Sequence, residues 1–218
     1  MEAANHSSKH AAATSELTKG ALRFGMQLTT AQLTAFEAYI TTLLFWRSRL
    51  SLTGAATNLA IVRDHILDSF AIAKYVLPAS RAADLGSGAG FPGVPLAIVC
   101  PQASVTLVES RRKRANFLRD VVRRCKLTNT DVIEARAEDL PPQTAGTFDV
   151  VVSRAVWTVP EFLKLAASFL RSGGRAIAMK GPKGATEILS DPGFVEPETT
   201  TYQLLQGIER LLLLYRKR

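Results

Sequence analysis

Asp84-Leu85-Gly86-Ser87-Gly88-Ala89-Gly90-Phe91-Pro92-Gly93 places four glycines in ten residues, with an acid in front and a proline before the last glycine. The preceding Arg81–Leu85 reads as a short strand that runs into the glycines. The following Gly93–Cys100 reads as a short apolar helix, started at Pro92 and stopped by Pro101. Strand, glycine turn and helix in this order let a nucleotide-like ligand lie against bare backbone.

The same alternation continues outward. Val105–Glu109 and Asp131–Ala135 read as strands, with a helix over Arg111–Cys125 between them that carries Ala115, Leu118, Val122 and Cys125 on one face. Phe148–Ser153 is rich in β-branched residues, as in a strand of a sheet buried on both faces. Thr158 and Glu161 form a capping box with Pro160 in the first turn, and Val159, Phe162, Leu163, Ala166 and Leu170 supply that helix's apolar stripe. Gly174–Lys180 is a further strand, and Tyr202–Gln206 and Arg210–Tyr215 form a pair joined across Gly207. The order predicts an α/β fold with a doubly wound, mostly parallel, seven-stranded Rossmann-like sheet ending in an antiparallel edge.

Ahead of the sheet the period is helical. Thr29 and Gln32 fit a capping box, and Leu33, Phe36, Ile40, Leu43 and Leu44 follow at helical spacing. Residues 47–56 read as a loop, and Asn58–Val76 as one or two helices carrying Arg63, Asp64, His65 and Asp68. Residues 29–79 are thus a helical extension of a cofactor-binding domain over 80–218, the two forming one unit, and the Ala-, Ser- and His-rich start places a frayed tail at 1–28.

Composition narrows the class. The 218 residues are 47% hydrophobic, enough to bury a full core, and carry a net charge of +8. That excess hints at a polyanionic partner. Two isolated cysteines, Cys100 and Cys125, argue against a disulfide framework or a zinc site, so a reducing cytoplasm and no metal are expected. No apolar run reaches the ~18–20 residues of a membrane span.

The glycines admit two registers. Gly88, Gly90 and Gly93 satisfy the dinucleotide pattern, whereas Gly86, Gly88 and Gly90 behind Asp84 satisfy that of S-adenosylmethionine sites. A strand ending at Leu85 favours the earlier register, with Asp84 aimed at a cationic amine and repelling a pyrophosphate. Glu109, at the end of the second strand, suits the ribose hydroxyls of either cofactor, and Glu138 or Asp139 follows the third strand, where adenine would lie. A nicotinamide-linked oxidoreductase and a simple tight turn stay open on these residues alone.

Arg63-Asp64-His65-Ile66-Leu67-Asp68-Ser69 ahead of the glycine turn, then Lys113-Arg114, Ala135-Arg136-Ala137-Glu138, Val152-Ser153-Arg154-Ala155 and Met179-Lys180-Gly181, together resemble the RsmG (GidB) family of bacterial methyltransferases. The resemblance runs from about Thr29 to the C-terminus. It implies a class I methyltransferase that uses S-adenosylmethionine to methylate N7 of one guanine in small-subunit (16S) ribosomal RNA, with ribosomal RNA or the small subunit as partner and a monomeric chain. Gly86 and Phe91 match the family's cofactor loop, Ala137 and Glu138 its adenine contact, and Arg154 its arginine after the fourth strand. Lys113, Arg114, Arg136 and Lys180 match basic positions on RNA or on the active-site rim, which makes Arg154 and Lys180 the expected catalytic residues. The family's Trp-Asn and Asn-Leu-Thr run departs here to Trp46-Arg47-Ser48-Arg49-Leu50-Ser51-Leu52-Thr53, which removes both amides.

The chemistry is compatible. Guanine N7 carries an in-plane lone pair and no proton, so its methylation needs alignment rather than a general base. Arg154 beside a sulfonium would be awkward, and RNA phosphate, guanine O6 or an ion pair with Asp84 or Glu138 are its alternatives. Arg111, Arg112, Lys113, Arg114, Arg119, Arg123, Arg124 and Lys126 fall within sixteen residues and are opposed only by Asp120, a pattern of either a solvated helix or a phosphate-binding face. His65 reads as a structural or positioning residue, and Trp157 as core or as a stacking partner for the base. A non-catalytic RNA-binding module that holds S-adenosylmethionine is the rival of a different class.

Overall fold

Val150, Val151 and Val152 lie at the centre of the molecule, and Val151 belongs to one apolar cluster while Val150 and Val152 belong to another. Alternating side chains that are all buried require packing on both faces of the strand. The computed structural model describes residues 2–204 and 207–218, with side chains from residue 11 onward. It forms seven strands: β1 (Arg81–Leu85), β2 (Ser104–Val108), β3 (Thr130–Ile133), β4 (Phe148–Arg154), β5 (Leu170–Lys180), β6 (Glu198–Gln203) and β7 (Glu209–Arg216). Their order in the sheet is β3-β2-β1-β4-β5-β7-β6. The strands β1 to β5 pair in parallel, β7 runs antiparallel to β5, and β6 runs antiparallel to β7. The expected fold class is borne out. Gln206, the end of one expected strand, lies outside the described residues.

Seven α-helical segments surround the sheet: α1 (Glu2–Arg23), α2 (Thr30–Arg47), α3 (Asn58–Ile61), α4 (Leu67–Phe70), α5 (Gly93–Val99), α6 (Arg112–Arg124) and α7 (Val159–Phe169). Both capping boxes form, Thr29–Gln32 opening α2 and Thr158–Glu161 opening α7. Between α3 and α4, Val62–Ile66 is a π-helical turn that carries Asp64 and His65. Such widened turns recur at functional sites.

The start of the chain corrects the expectation of a frayed tail over 1–28. Glu2–Arg23 is helical, and Ala13, Leu17 and Ala21 are buried. They recur every four residues, the spacing of one helix face. Gly20 lets this helix approach Leu67 closely, and Glu16 pairs with Arg63. The small and polar residues of the first turns obscured a stripe that begins only at Ala13.

Two helices brace the glycine turn. Tyr39 on α2 donates its hydroxyl to the carbonyl of Ala89 (2.6 Å), and Trp46 Nε1 donates to Asp120 on α6 (2.9 Å). The buried face of α6 is Ala115, Phe117, Leu118 and Val121, rotated slightly from the expected stripe because Phe117 points inward and Val122 is only partly covered.

Candidate functional site

The turn after β1 leaves the sheet at Gly86, whose φ of +69° is a conformation that glycine adopts without strain. A Cβ placed there would meet Val156 Cγ2 at 2.8 Å and Trp157 at 3.4 Å, because the loop after β4 crosses over this backbone. Gly86 opens a cleft of about 570 Å³ at the carboxyl ends of β1 and β2. Glu109, Arg111, Arg114, Arg136, Ala137 and Glu138 line it, together with Val156 and Trp157. Six of the expected site residues besides Gly86 thus converge, from positions as far apart as Gly86 and Glu138.

Glu109 is buried and braces the turn from below. Its Oε2 accepts from the Gly88 N–H (2.9 Å) and its Oε1 from the Arg111 N–H (2.8 Å). Each oxygen accepts one of these bonds and retains further acceptor capacity. Trp157 is half-buried, lines the cleft and also packs against the core beneath α7.

Asp84 does not do what its position suggested. It is fully buried, does not line the cleft, and its Oδ2 accepts from the Gly93 N–H (3.0 Å) at the start of α5. Its Oδ1 has no partner among the described residues. Burial pushes its carboxyl up to about 7, against the pull of the Gly93 N–H and the Arg154 charge. An acid at the end of a buried strand points alternately to the two faces, and at Asp84 the face is that of α5 rather than of the ligand.

Arg154 and Lys180 line a second cleft, of about 540 Å³, with Asp64, His65, Asp68 and Arg210. Arg154 pairs with Asp68 (3.1 Å), not with Asp84 or Glu138, and its guanidinium lies 5.1 Å from the centroid of Phe91. Phe91 is buried and lies beneath Arg154, packed in tilted contacts against His65 (4.8 Å) and Tyr39 (5.4 Å). The Asp68 carboxylate also accepts from the Tyr202 hydroxyl (2.6 Å) and lies 3.5 Å from Arg210 Nε. Lys180 is turned toward the loop after β4, where its Nζ donates to the Trp157 carbonyl and to Glu187 (2.8 Å each). It holds that loop rather than presenting a free cation.

His65 Nε2 lies 2.6 Å from the Thr53 hydroxyl, and Nδ1 is buried without a partner among the described residues. Burial first, and then the Arg154 charge, hold its pKa down to about 4. The ring is therefore neutral near pH 7.

The basic segment divides into two. Arg123 and Arg124 pair with Asp120, Arg119 pairs with Glu134, and Arg114 donates to the Ser51 carbonyl (2.9 Å). Arg111, Arg112, Lys113 and Arg136 are exposed and make no side-chain ion pair among the described residues. Tyr202, Arg210 and Glu187 were not anticipated as site residues. Their sequence signal is slight: Tyr202 and Arg210 reach the site only through the antiparallel return of β6 and β7, and Glu187 lies in the short turn after β5, seven residues from Lys180.

The family model described as "GidB: rRNA small subunit methyltransferase G" matches residues 32–206. The chain belongs to this family. A ribosomal RNA small subunit methyltransferase G from Geotalea uraniireducens is 38% identical over 83% of this chain and 82% of its own length. One from Xylella fastidiosa is 41% identical over 88% of this chain and 91% of its own. Membership of the methyltransferase G family bears out the expected enzyme class, a methyltransferase dependent on S-adenosylmethionine. Among solved structures, a predicted O-methyltransferase from Agrobacterium tumefaciens superposes with a TM-score of 0.57 at 22% identity over 68% of this chain and 80% of its own. The tRNA (m1A58) methyltransferase TrmI from Aquifex aeolicus gives 0.56 at 17% identity over 69% and 68%. These two share the fold of this chain. Among the described residues, no helix is long and apolar enough to cross a membrane.

Proposed function

We propose that this chain, acting as a monomer in the cytoplasm, methylates N7 of one guanine in small-subunit ribosomal RNA. The observation that carries the reading is the convergence, on one cleft, of the open Gly86 backbone, the Glu109 carboxylate and a rim of uncompensated cations. The cleft suits S-adenosylmethionine: backbone at Gly86 for the amino-acid end, Glu109 for ribose hydroxyls, and Ala137 and Glu138 for adenine. When bound, that cofactor supplies an electrophilic sulfonium methyl group.

The residues around the second cleft do the rest by placement. Arg154, held flat by Asp68 and Phe91, is set to donate to guanine O6, which leaves N7 free to attack. No side chain there is needed as a base. His65 is neutral but buried against Phe91 and Thr53, and Asp84 is turned toward α5. Alignment of this kind is worth up to roughly 7–11 kcal/mol of barrier. Lys180, through Trp157 and Glu187, fixes the loop that separates the two clefts. Arg111, Arg112, Lys113 and Arg136 bind RNA phosphates.

The test uses tritiated-methyl S-adenosylmethionine with small-subunit ribosomal RNA transcribed with either guanosine or 7-deazaguanosine. Label in the first RNA and none in the second supports the reading. Equal label in both rules out N7. Cofactor binding with no label in either points to the RNA-binding module, and binding of a nicotinamide cofactor instead would point to an oxidoreductase.

A further inference from the structure

At the end of α2, Phe45 is 54% exposed, unusual for a large apolar side chain on a helix that buries Tyr39, Ile40 and Leu43 on its other face. The guanidinium of Arg49 lies 4.2 Å from the centroid of the Phe45 ring, and its Nη1 reaches back toward the Phe45 carbonyl (3.4 Å). The ring and one hydrogen bond therefore preset a flat, charged plane whose outer side faces solvent. Arg47 lines an open cleft of about 790 Å³ beside it, shared with Ser51.

The electrostatics of this patch are one-sided. No carboxylate occurs in the sequence between Glu37 and Asp64, while Arg47 and Arg49 do, and Arg63 at the end of this stretch is paired with Glu16. Asp120 on α6 is already engaged by Trp46, Arg123 and Arg124. The patch is also continuous with the cofactor cleft. Arg114 lines that cleft and donates to the Ser51 carbonyl, so the loop after α2 and the rim of the cleft are held together by one side chain. On the same helix as Arg114, Arg112 and Lys113 are further exposed cations.

We infer that Phe45 and Arg49 form a base-stacking platform, with Arg47 as a phosphate contact, for a single-stranded stretch of the ribosomal RNA substrate away from the reacting guanine. A guanidinium plane backed by an aromatic ring accepts any base face, and single-stranded RNA offers unstacked bases beside phosphates at the spacing that mixed aromatic and cationic surfaces recognise. The platform rests on the RNA-methylating reading and extends it. It holds the RNA at a second point so that the reacting guanine is presented from a fixed distance.

Arg49→Lys separates stacking from charge, because lysine keeps the cation and lacks the plane. Filter binding of small-subunit ribosomal RNA transcript is measured across a salt series for the wild type, R49K, R49A, F45A and an R112A/K113A reference, with S-adenosylmethionine affinity confirming that each variant is folded. R49K and F45A are expected to bind about 5- to 150-fold more weakly at every salt concentration with the wild-type salt slope. R49A is expected to show at least that loss, and R47A, measured alongside, a slope lower by about 0.7 because it removes the phosphate contact. If R49K and F45A bind like the wild type while R112A/K113A is weakened, the platform is overturned and the RNA-methylating reading stands. If the wild type itself fails to bind the RNA, both fall.

Discussion

Asp68→Ala removes the acceptor at the centre of the second cleft. The Asp68 side chain is 3% exposed and receives Tyr202 Oη at 2.6 Å and Arg154 Nη1 at 3.1 Å, with Arg210 Nε at 3.5 Å. Arg154 and Arg210 are themselves mostly covered, at 20% and 26% exposure. Alanine leaves two part-buried guanidinium groups facing each other without a carboxylate, and leaves the Tyr202 hydroxyl unpaired. Breaking one side of a buried pair costs about 3–5 kcal/mol, several times the ~0–1 kcal/mol of an exposed pair. With an m-value of ~2–3 kcal/mol per molar urea, the unfolding midpoint falls by about 1–2 M. Asp68→Asn, which keeps the shape and one acceptor, falls less. Because Arg154 loses its anchor, methyl transfer measured well below the unfolding midpoint drops more than S-adenosylmethionine affinity does. A midpoint unchanged to within ~0.5 M in Asp68→Ala would refute the buried-network reasoning. Unchanged turnover would refute the assignment of Asp68 as the residue that positions Arg154.

Three further perturbations test separate parts of the molecule. Gly86→Asp places a side chain where even a Cβ would meet Val156 at 2.8 Å, on a backbone of φ +69°, and adds a charge to the cleft. Loss of S-adenosylmethionine binding by calorimetry is expected, and unchanged affinity would displace the cofactor from this cleft. Gly93→Ala drives a methyl into Leu107 and to 2.8 Å from Asp84 Oδ2, both buried, so a loss of about 1–3 kcal/mol in urea unfolding is expected. A midpoint like the wild type's would show that α5 can move off β2. The pH dependence of stability has two opposed contributions. The Asp84 carboxyl is raised in the fold from about 3.8 to about 7, so the folded chain binds the extra proton and this contribution falls as pH rises through that window, by at most about 1.4 kcal/mol per pH unit. His65 is lowered from 6.5 to about 4, so the unfolded chain binds the extra proton and stability is lost as pH falls below 6.5. Asp84→Asn should make stability rise more steeply between pH 4 and 7, and His65→Gln should make it fall, as urea midpoints across that range would show.

The sheet was legible because its signals are local. Strand ends at Leu85 and the β-branched run at Phe148–Ser153 fix parallel order, and two capping boxes fix where α2 and α7 begin. The rim of the first cleft was legible for the same reason, since Glu109, Arg136 and Glu138 each follow a strand end. What the sequence hid is set by direction and by distant pairing. Asp84 precedes the glycines as a ligand-binding acid would, yet one step of strand alternation turns it to Gly93. Arg154 found its partner, Asp68, 86 residues away on α4, just past the π-helical turn, with Tyr202 a further contributor from the returning edge of the sheet. The packing of Ala13, Leu17 and Ala21 was masked by flanking residues of tail-like composition.

The most direct measurement is a map of N7-methylguanine in small-subunit ribosomal RNA, read by borohydride reduction and aniline cleavage in cells with and without this protein. One cleavage should be present in the parent, absent in the deletion and restored by the wild-type chain but not by Gly86→Asp. An identical cleavage pattern in parent and deletion would contradict N7 of a small-subunit guanine as the site of methyl transfer.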